Sequence, residues 1–413
     1  MGIPGPCRAC RGRGACVAAG LERLETMRRG RRSWARLARL RAVLATGLAM
    51  MFHDRLKFLG TVSGVLFAVL LAVQQLGVLF GLLSKNTMFV ENAGADIWIA
   101  PPGTRLFQPG QSLPESALQL ARGTPGVAQA EPLLIVGGQL RKHAGGAEPI
   151  TIVGVKLPAM LGGPWNVIAG SSDSIAAADT MVFEDSLREK YGGLNLWSER
   201  EVNGHRVRVG GFTWGLQPFG PAYAFAEIDL ARKLGKVAAD QVSFVLARLE
   251  RGASPEQVAS SLRRQLAGAT VLTSAEYRSS IQSTLLREQL GISFGTSTSF
   301  GLLIGFVIVA LSMFSSVIDN QRELGTLKAL GWTNGDLARM LLVQSVVYAA
   351  AGSLAGLGLV TFIAEKIRTA ALAVIIPGEL IALVPVVMAA ICVLASTLAL
   401  QRLRKLDPAV VFK

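Results

Sequence analysis

Charged residues are scarce in this 413-residue chain: they make up 17% of it, whereas hydrophobic residues make up 51%. Four stretches contain no Asp, Glu, His, Lys or Arg, and each reaches the roughly 20 residues that a helix needs to cross a bilayer. They are residues 59–83, 292–318, 340–364 and 380–400. This pattern excludes an ordinary soluble enzyme and predicts four membrane-spanning helices.

Residues and motifs needed for common catalytic chemistry are also missing. The sequence has no Gly-x-x-x-x-Gly-Lys-Ser/Thr loop, so we do not expect it to bind ATP in the manner of common ATPases. The three histidines show no metal-ligand spacing, and the Cys7-x-x-Cys10 pair has no fourth ligand close to it. We therefore expect no catalytic residue, no metal site and no cofactor in this chain.

The formal net charge of +14 lies mostly at the two ends of the chain. Residues 1–59 hold 13 Lys or Arg against 3 Asp or Glu, residues 85–290 hold 20 against 19, and residues 401–413 hold 4 against 1. Because positively charged segments beside membrane helices stay in the cytoplasm, we expect both termini there and residues 85–290 outside. Charge concentrated in this way does not indicate a nucleic-acid partner.

These observations predict a membrane α-helical protein with four transmembrane helices and a mixed α/β extracytoplasmic domain inserted between helices 1 and 2. The segments are a basic N-terminal extension (1–50), a membrane-proximal segment with helix 1 (51–84), the outer domain (85–290), helix 2 (291–318), a cytoplasmic loop (319–339), helix 3 (340–364), a short outer loop (365–379), helix 4 (380–400) and a basic cytoplasmic tail (401–413). We interpret the extension as lying upstream of the true start, with Met50 or Met51 as the first residue.

The outer domain has the alternation of strand-like and helix-like patches that is typical of an α/β fold. Strands are predicted at residues 150–155, 206–209, 222–228 and 242–249. A helix is predicted from Pro255 to about Leu266, because Ser254 can cap it and Gln257 completes a capping box. A short strand is predicted near Val271. Together the last strand, the helix and this short strand form a compact α/β unit.

Glycine pairs four residues apart occur in three of the four uncharged stretches. Such pairs let two helix backbones approach closely, so we interpret them as packing positions. They are Gly60/Gly64 and Gly77/Gly81 in helix 1, Gly301/Gly305 in helix 2 and Gly352/Gly356 in helix 3. Since ion-driven carriers place charged residues inside their helices, these stretches do not indicate ion-coupled transport, and energy should come from a partner.

The loop between helices 2 and 3, DNQRELGTLKALGWTNGDLAR, contains a regular apolar pattern. Leu324, Leu327 and Leu330 are three residues apart and predict a short helix with one apolar stripe. The balanced charge of the loop disfavours an electrostatic membrane anchor. It favours a groove on a cytoplasmic protein as the binding partner.

The two ends of the predicted loop helix also have sequence signals. Gly331 can end the helix, since glycine adopts the left-handed conformation at helix ends. Thr333 or Asn334 can cap the next helix, which becomes the third membrane span.

At this loop the sequence resembles a known family, the MacB/FtsX-like permeases of ATP-binding cassette (ABC) systems. The resemblance is carried by RELGTLKALGWTNGDLARMLLVQSVVYAAAGSLAGLGL (322–359), by the tail RLRKLDPAVVFK (402–413), and by the order of one span, a large outer domain and three spans. The stretch FVENAGADIWIAPPG (89–103) is most similar to the DevC-type branch. The likeness extends from residue 51 onward, and it is loose in the outer domain.

The resemblance implies a MacB-like periplasmic core for the outer domain and a set of partners. Two permease copies, identical or paralogous, would pair in the inner membrane and bind cytoplasmic ATPase subunits, which hold ATP and Mg²⁺. Because only 13 residues follow the fourth span, we expect the ATPase on a separate polypeptide. The loop would be a coupling helix that places these residues at the ATPase groove: Arg322, Glu323, Leu324, Leu327, Lys328 and Gly331.

The function implied by the resemblance is export or extraction of a substrate at the outer face. The substrate classes are a lipid, glycolipid, lipoprotein, peptide or drug, with membrane lipid around the helices and with a periplasmic adaptor and an outer-membrane channel as further partners. The alternative is a mechanotransmitter that moves no substrate and activates an outer partner such as a cell-wall hydrolase. Both alternatives remain open at this point.

Overall fold

The computed structural model describes residues 41–404, with gaps at 111, 143–144, 192, 219, 289 and 368–374. The helices are α1 (described at 41–53), α2 (Arg55–Asn92), α3 (Ser116–Arg122), α4 (Leu187–Lys190), α5 (Ile228–Gly235), α6 (Pro255–Gln265), α7 (Ser274–Glu288), α8 (Leu290–Asp319), α9 (Gln321–Ala329), α10 (Asn334–Ile367) and α11 (Gly378–Arg404). The strands are β1 (Ile97–Ala100), β2 (Leu113–Pro114), β3 (Val127–Arg141), β4 (Ala147–Val155), β5 (Val167–Gly170), β6 (Thr180–Glu184), β7 (Glu199–Val202), β8 (His205–Thr213), β9 (Ala222–Glu227), β10 (Gln241–Val242), β11 (Phe244–Leu249) and β12 (Thr270–Thr273).

The described residues form two compact units. The membrane unit contains residues 41–71, 300–359 and 379–404, and the outer unit contains residues 72–299 together with those described between 360 and 378. Within the described ranges, four helices are long and apolar enough to cross a membrane, namely α2, α8, α10 and α11. The predicted fold class, four apolar helices with a mixed α/β domain between the first and the second, is confirmed.

The first membrane helix extends well beyond the uncharged stretch from which it was predicted. α2 has 38 residues and is therefore about 57 Å long at 1.5 Å per residue. The hydrocarbon core of a bilayer is only about 30 Å thick. The far end of α2 is part of the outer unit, where Phe89 and Val90 are 0% and 2% exposed.

Residues 41–49, which lie in the predicted N-terminal extension (1–50), are part of the membrane unit. Val43 and Met51 of α1 are 3% and 4% exposed. The side-chain amide of Gln344 on α10 donates a hydrogen bond to the carbonyl oxygen of Gly47 at 2.9 Å. A chain beginning at Met50 would lose this contact. Residues 1–40 and 405–413, with Cys7 and Cys10, lie outside the described residues.

The outer unit is built on a ten-stranded sheet with the order β12-β1-β11-β3-β4-β9-β6-β8-β5, in which β7 pairs with β3 and β8. In its first half, β1 is antiparallel to both β11 and β12, and β11 is antiparallel to β3. The two strands of the β1–α3–β3 unit therefore flank β11, and those of the β11–α6–β12 unit flank β1. Each unit thus has one strand of the other unit between its two strands, as in ferredoxin-like folds. The predicted strand–helix–strand unit at residues 242–273 is confirmed, although β11 and β12 are not neighbours.

The second half of the sheet, β4 to β9, is inserted in the chain between β3 and β11 and contains two parallel pairs, β4 with β9 and β6 with β8. One sheet face is packed against Leu234 and its neighbours on α5. On the opposite face, Phe89 of α2 and Tyr277 and Ile281 of α7 pack with Trp98 of β1. The two helices that continue into the first and second spans therefore contribute to the core of the outer unit.

Candidate functional site

The loop between the second and third membrane helices is a nine-residue helix, α9, with a well-defined end. The backbone amide of Trp332 donates to the carbonyl oxygen of Leu327, and that of Gly331 donates to Lys328, both at 3.0 Å. Gly331 has φ +94°, the left-handed conformation that glycine supplies in this Schellman-type helix end. α9 ends at Ala329 with Leu330 as its C-cap, and Gly331 has the helix-ending role that the sequence predicts.

The following helix, α10, begins with a capping box. The hydroxyl oxygen of Thr333 accepts a hydrogen bond from the amide of Asp336 at 3.2 Å. The carboxylate of Asp336 accepts from the amide and hydroxyl of Thr333 at 3.1 and 2.7 Å. Of the two caps that the sequence offers, Thr333 and Asn334, the structure uses Thr333. Because both helix ends beside it are fixed by hydrogen bonds, α9 presents its side chains in a defined arrangement.

The three leucines that were predicted to form one apolar stripe differ in how exposed they are. Leu324 is 2% exposed, Leu330 is 74% exposed, and Leu327 is half-buried. A helix turns about 100° per residue, so leucines three residues apart are displaced from one another by about 60°. Leu324 consequently packs inward, and Leu330 is the apolar side chain that the loop presents to its surroundings.

Two charged residues accompany Leu330 on the exposed side of this loop. Arg322 and Glu323 are both exposed, whereas Lys328 is half-buried. We call Arg322, Glu323 and Leu330 the α9 surface. It combines one positive, one negative and one apolar group, and its assignment to an ATPase groove stays a prediction.

An ion pair ties α8 to α2 immediately before α9 begins. The ammonium of Lys57 lies 2.5 Å from the carboxylate of Asp319, the last residue of α8, and 3.1 Å from that of Asp54. The hydroxyl of Ser315 also donates to Asp319 at 3.0 Å. Exposed pairs of this kind add little stability. In the sequence, the pair is marked only by position: Lys57 lies just before one uncharged stretch and Asp319 just after another.

Glycines four residues apart bring α10 directly against α2. A Cβ atom added to Gly352 would lie 2.5 Å from Cβ of Val65, and one added to Gly356 would lie 2.9 Å from Cγ1 of Val69. No side chain fits at such distances without displacing a helix. The close approach therefore depends on the absence of a side chain at these two positions.

The other predicted glycines differ in how closely they are packed. A Cβ on Gly305 of α8 would lie 2.6 Å from Cβ of Ala68 on α2, and one on Gly64 would overlap Ile308. Gly60 is exposed, and a Cβ there would have no neighbour within 4 Å among the described residues. The remaining predicted glycines are all buried: Gly77, Gly81 and Gly301.

A buried carboxylate connects the outer end of α2 to the sheet. Glu184 of β6 is 0% exposed, and it accepts hydrogen bonds from the amides of Gly215 (2.7 Å) and Leu216 (3.0 Å) and from the hydroxyl of Thr213 (3.0 Å). Lys85 of α2 donates to the carbonyl oxygen of Gly215 at 2.5 Å. Burial raises the pKa of Glu184, although the three hydrogen bonds oppose this shift. The sequence alone did not distinguish Glu184 from the other carboxylates of the outer domain. Its one sequence signal is its position at the end of an apolar strand, β6.

Glu184→Ala is expected to destabilise the loop after β8, because Gly215, Leu216 and Thr213 lose their buried acceptor. We expect a cost of about 3 kcal/mol, since each unsatisfied buried group costs about 1–3 kcal/mol. Hydrogen–deuterium exchange of the peptide covering residues 213–216 measures this, and it should accelerate about 100-fold. Glu148→Ala, which removes ion pairs to Lys142 and Lys190, is the control and should have little effect. Unchanged exchange in Glu184→Ala would contradict the structural role.

The two units together define a multi-pass membrane protein with a large α/β domain after its first span. A family model for the FtsX-like permease C-terminal region matches residues 296–408, and a model for the MacB-like periplasmic core domain matches residues 58–265, half of the chain. The chain therefore belongs to the MacB/FtsX-like family of ABC transporter permeases. It is an inner-membrane protein whose α/β domain is periplasmic. The DevC-type branch stays a prediction.

Three solved structures are similar to part of the chain. The extracellular domain of the ABC-type transporter YknZ from Gram-positive bacteria is 16% identical and covers 43% of this chain and 98% of its own, with a TM-score of 0.32. The periplasmic region of MacB from Actinobacillus actinomycetemcomitans is 12% identical. The match covers 48% of this chain and 99% of the MacB region, with a TM-score of 0.35. A permease domain from Porphyromonas gingivalis is 20% identical. The match covers 42% of this chain and 84% of that domain, with a TM-score of 0.30. No curated protein matches the chain by sequence.

Proposed function

We propose that this chain is a permease subunit whose α9 surface binds a separate cytoplasmic ABC ATPase subunit. The observation that carries the proposal is the 74% exposure of Leu330 at the hydrogen-bonded C-terminal end of a short helix. A helix that presents an apolar side chain between charged ones fits a groove on a protein partner. The ATPase subunit would hold the ATP and Mg²⁺, as the resemblance to the family implies.

In this proposal both termini and α9 lie in the cytoplasm. The orientation is supported by the excess of Lys and Arg at residues 1–59 and 401–413, since such segments are retained on the cytoplasmic side. A second permease copy, identical or paralogous, completes the assembly, and a periplasmic adaptor and an outer-membrane channel are further candidate partners.

Movement of α9 upon ATP binding would reach the periplasm through packed helices. α9 directly follows Asp319 of α8, which is paired with Lys57 of α2. α2 continues without a break to Phe89, which is buried in the outer core. Since the uncharged stretches offer no residue for ion coupling, ATP is the energy source in this scheme. The resulting work would be export or extraction of a lipid, glycolipid, lipoprotein, peptide or drug at the outer face.

The second candidate function is activation of a periplasmic partner, such as a cell-wall hydrolase, without transport. The continuity of α2 over Arg55–Asn92 favours this candidate too, because motion along one helix needs no passage for substrate. ATP-dependent removal of a membrane-anchored cargo from proteoliposomes would support transport. ATP-dependent stimulation of a hydrolase, with no cargo moved, would support activation.

ATP hydrolysis is expected only when the ATPase subunit is present. The purified chain should show no turnover above that of empty detergent micelles or liposomes, because its sequence has no phosphate-binding loop of the common type. Addition of the ATPase subunit should restore turnover, measured as phosphate release. Hydrolysis that persists after removal of every co-purifying ATPase would contradict the division of labour.

A further inference from the structure

The outer unit contains a cleft of about 700 Å³ on the sheet face that α2 and α7 cover. This volume lies within the roughly 300–1,000 Å³ that is typical of small-molecule sites. Its walls come from several parts of the outer unit. They are α2 at Asn86, the loop at Phe107, β3 at Gly137, β4 at Thr151, the loop at Pro218 and Gly220, β9 at Tyr223 and α7 at Ile281. The cleft is thus formed by segments that are far apart in the sequence.

The chemistry of the cleft is apolar and uncharged. The described residues that line it include no Asp, Glu, His, Lys or Arg, although residues 85–290 hold 20 Lys or Arg and 19 Asp or Glu. Leu106, Phe107 and Leu285 are half-buried and provide apolar surface, and the side-chain amides of Gln108 and Gln139 can donate and accept hydrogen bonds. A charged ligand group would lose hydration here without gaining a counter-charge. The lining therefore selects a neutral ligand with a substantial apolar part.

The cleft also lies close to the membrane along the chain. Asn86 of α2 is one of its lining residues, and it is three helical residues, or about 5 Å, beyond the uncharged stretch that ends at Leu83. An amphiphile in the outer leaflet would hold its polar head at about this level. A neutral molecule in bulk water has no such advantage in reaching the site.

We propose that this cleft binds an uncharged amphiphile taken from the outer leaflet of the membrane. Its hydrocarbon chain contacts Leu106, Phe107 and Leu285, and its neutral polar head hydrogen-bonds to the amides of Gln108 and Gln139. The inference rests on the proposed function, because it names the class of molecule that the permease moves.

Photolabelling of the full chain in lipid nanodiscs tests this inference. Two probes carry the same diazirine alkyl chain, one as a monoacylglycerol with a neutral head and the other as a fatty acid with a carboxylate. Mass spectrometry of peptides should find the neutral probe at residues 137–151 and 281–285, and excess unlabelled monoacylglycerol should compete with it. The fatty acid should label these peptides roughly tenfold less, because its charge is not compensated there. Labelling of the membrane helices provides the reference for both probes.

Gly137→Leu blocks the cleft without an expected clash, since a Cβ at Gly137 has no neighbour within 4 Å among the described residues. Gly268→Leu is the matched control, because Gly268 is equally open and does not line the cleft. We expect cleft labelling to fall roughly tenfold in Gly137→Leu, to fall less in Gly137→Val, and to stay unchanged in Gly268→Leu.

Three results would overturn the proposal: equal labelling of the cleft in Gly137→Leu and wild type, equal labelling by both probes, or labelling confined to the membrane helices. A thermal unfolding curve for each variant shows whether it is folded, and the less bulky Gly137→Val keeps the test decisive if Gly137→Leu is not. Probe binding needs no ATPase subunit. Failure of this inference therefore leaves ATPase binding by α9 untouched, and loss of ATPase binding leaves the labelling intact.

Discussion

Leu330→Asp is expected to abolish co-purification of the ATPase subunit with the permease. Leu330 is 74% exposed on α9, and burying a leucine in a partner's groove contributes about 2–3 kcal/mol. Aspartate would lose this contribution and place an unpaired carboxylate in the groove, which adds a desolvation cost. We expect affinity to fall at least about 100-fold. The measurement is recovery of ATPase on a tagged permease from detergent-solubilised membranes.

Leu120→Asp provides the matched control for this experiment. It makes the same change at a leucine that is 44% exposed on α3 of the outer unit, and ATPase recovery should be unchanged. Leu324 and Leu327 are less suitable, because they are buried and half-buried, so their variants would report packing together with binding. A folded Leu330→Asp permease that retains a full complement of ATPase would show that α9 is not the coupling element.

Gly352→Leu is expected to separate α10 from α2 and to leave little folded permease. A Cβ at this position would lie 2.5 Å from Cβ of Val65. Overpacking inside a core costs typically about 1–3 kcal/mol, and a leucine pressed against a neighbouring helix should reach the upper end of that range. We expect the thermal midpoint to fall by about 10 °C. Size-exclusion chromatography of heated samples in detergent measures this shift.

Gly60→Leu is the control that separates packing from helix propensity. Both substitutions replace glycine by leucine inside a helix, so both gain about 1 kcal/mol of helix propensity. Gly60, however, has no neighbour within 4 Å of an added Cβ in the part of the chain that the structure describes. Its variant should be as stable as the wild type or slightly more so. If both variants lost stability equally, the close α2–α10 contact would not be the reason.

The membrane helices could be predicted from the sequence because their cause is local. A stretch of about 20 uncharged residues is stable across a bilayer only as a helix, whatever lies beside it. The end of α9 at Gly331 and the cap at Thr333 are also local, because each depends on bonds within a few residues. These features required no knowledge of which segments meet in space.

Strand β3 shows where local reasoning fails. Its 15 residues include Pro132 and two glycines, Gly137 and Gly138, which disfavour a central strand on local grounds. Tertiary packing overrides this local preference. Gly138 lies so close to β4 that a Cβ added to it would be 2.8 Å from the side chains of both Ile150 and Ile152. A strand of this kind is stabilised by its neighbours, and these are known only from the fold.

The candidate site shows the same division between local and long-range causes. The α9 helix was predictable, but the inward direction of Leu324 depends on packing within the membrane unit. The contact of Lys57 with Asp319 joins residues 262 positions apart, and the partners of Glu184 lie about 30 positions away. Sequence spacing contains no information about such long-range contacts, so the Lys57–Asp319 pair and the partners of Glu184 became apparent only in the structure.

Site-specific photocrosslinking from position 330 in native membranes is the most direct test of the central claim. A photoreactive phenylalanine analogue in place of Leu330 should crosslink in high yield to one cytoplasmic protein, identified by mass spectrometry as an ABC ATPase. The same analogue in place of Leu120 should not crosslink to it. Crosslinks from position 330 to lipid alone, or to periplasmic proteins, would contradict both the orientation and the role of α9.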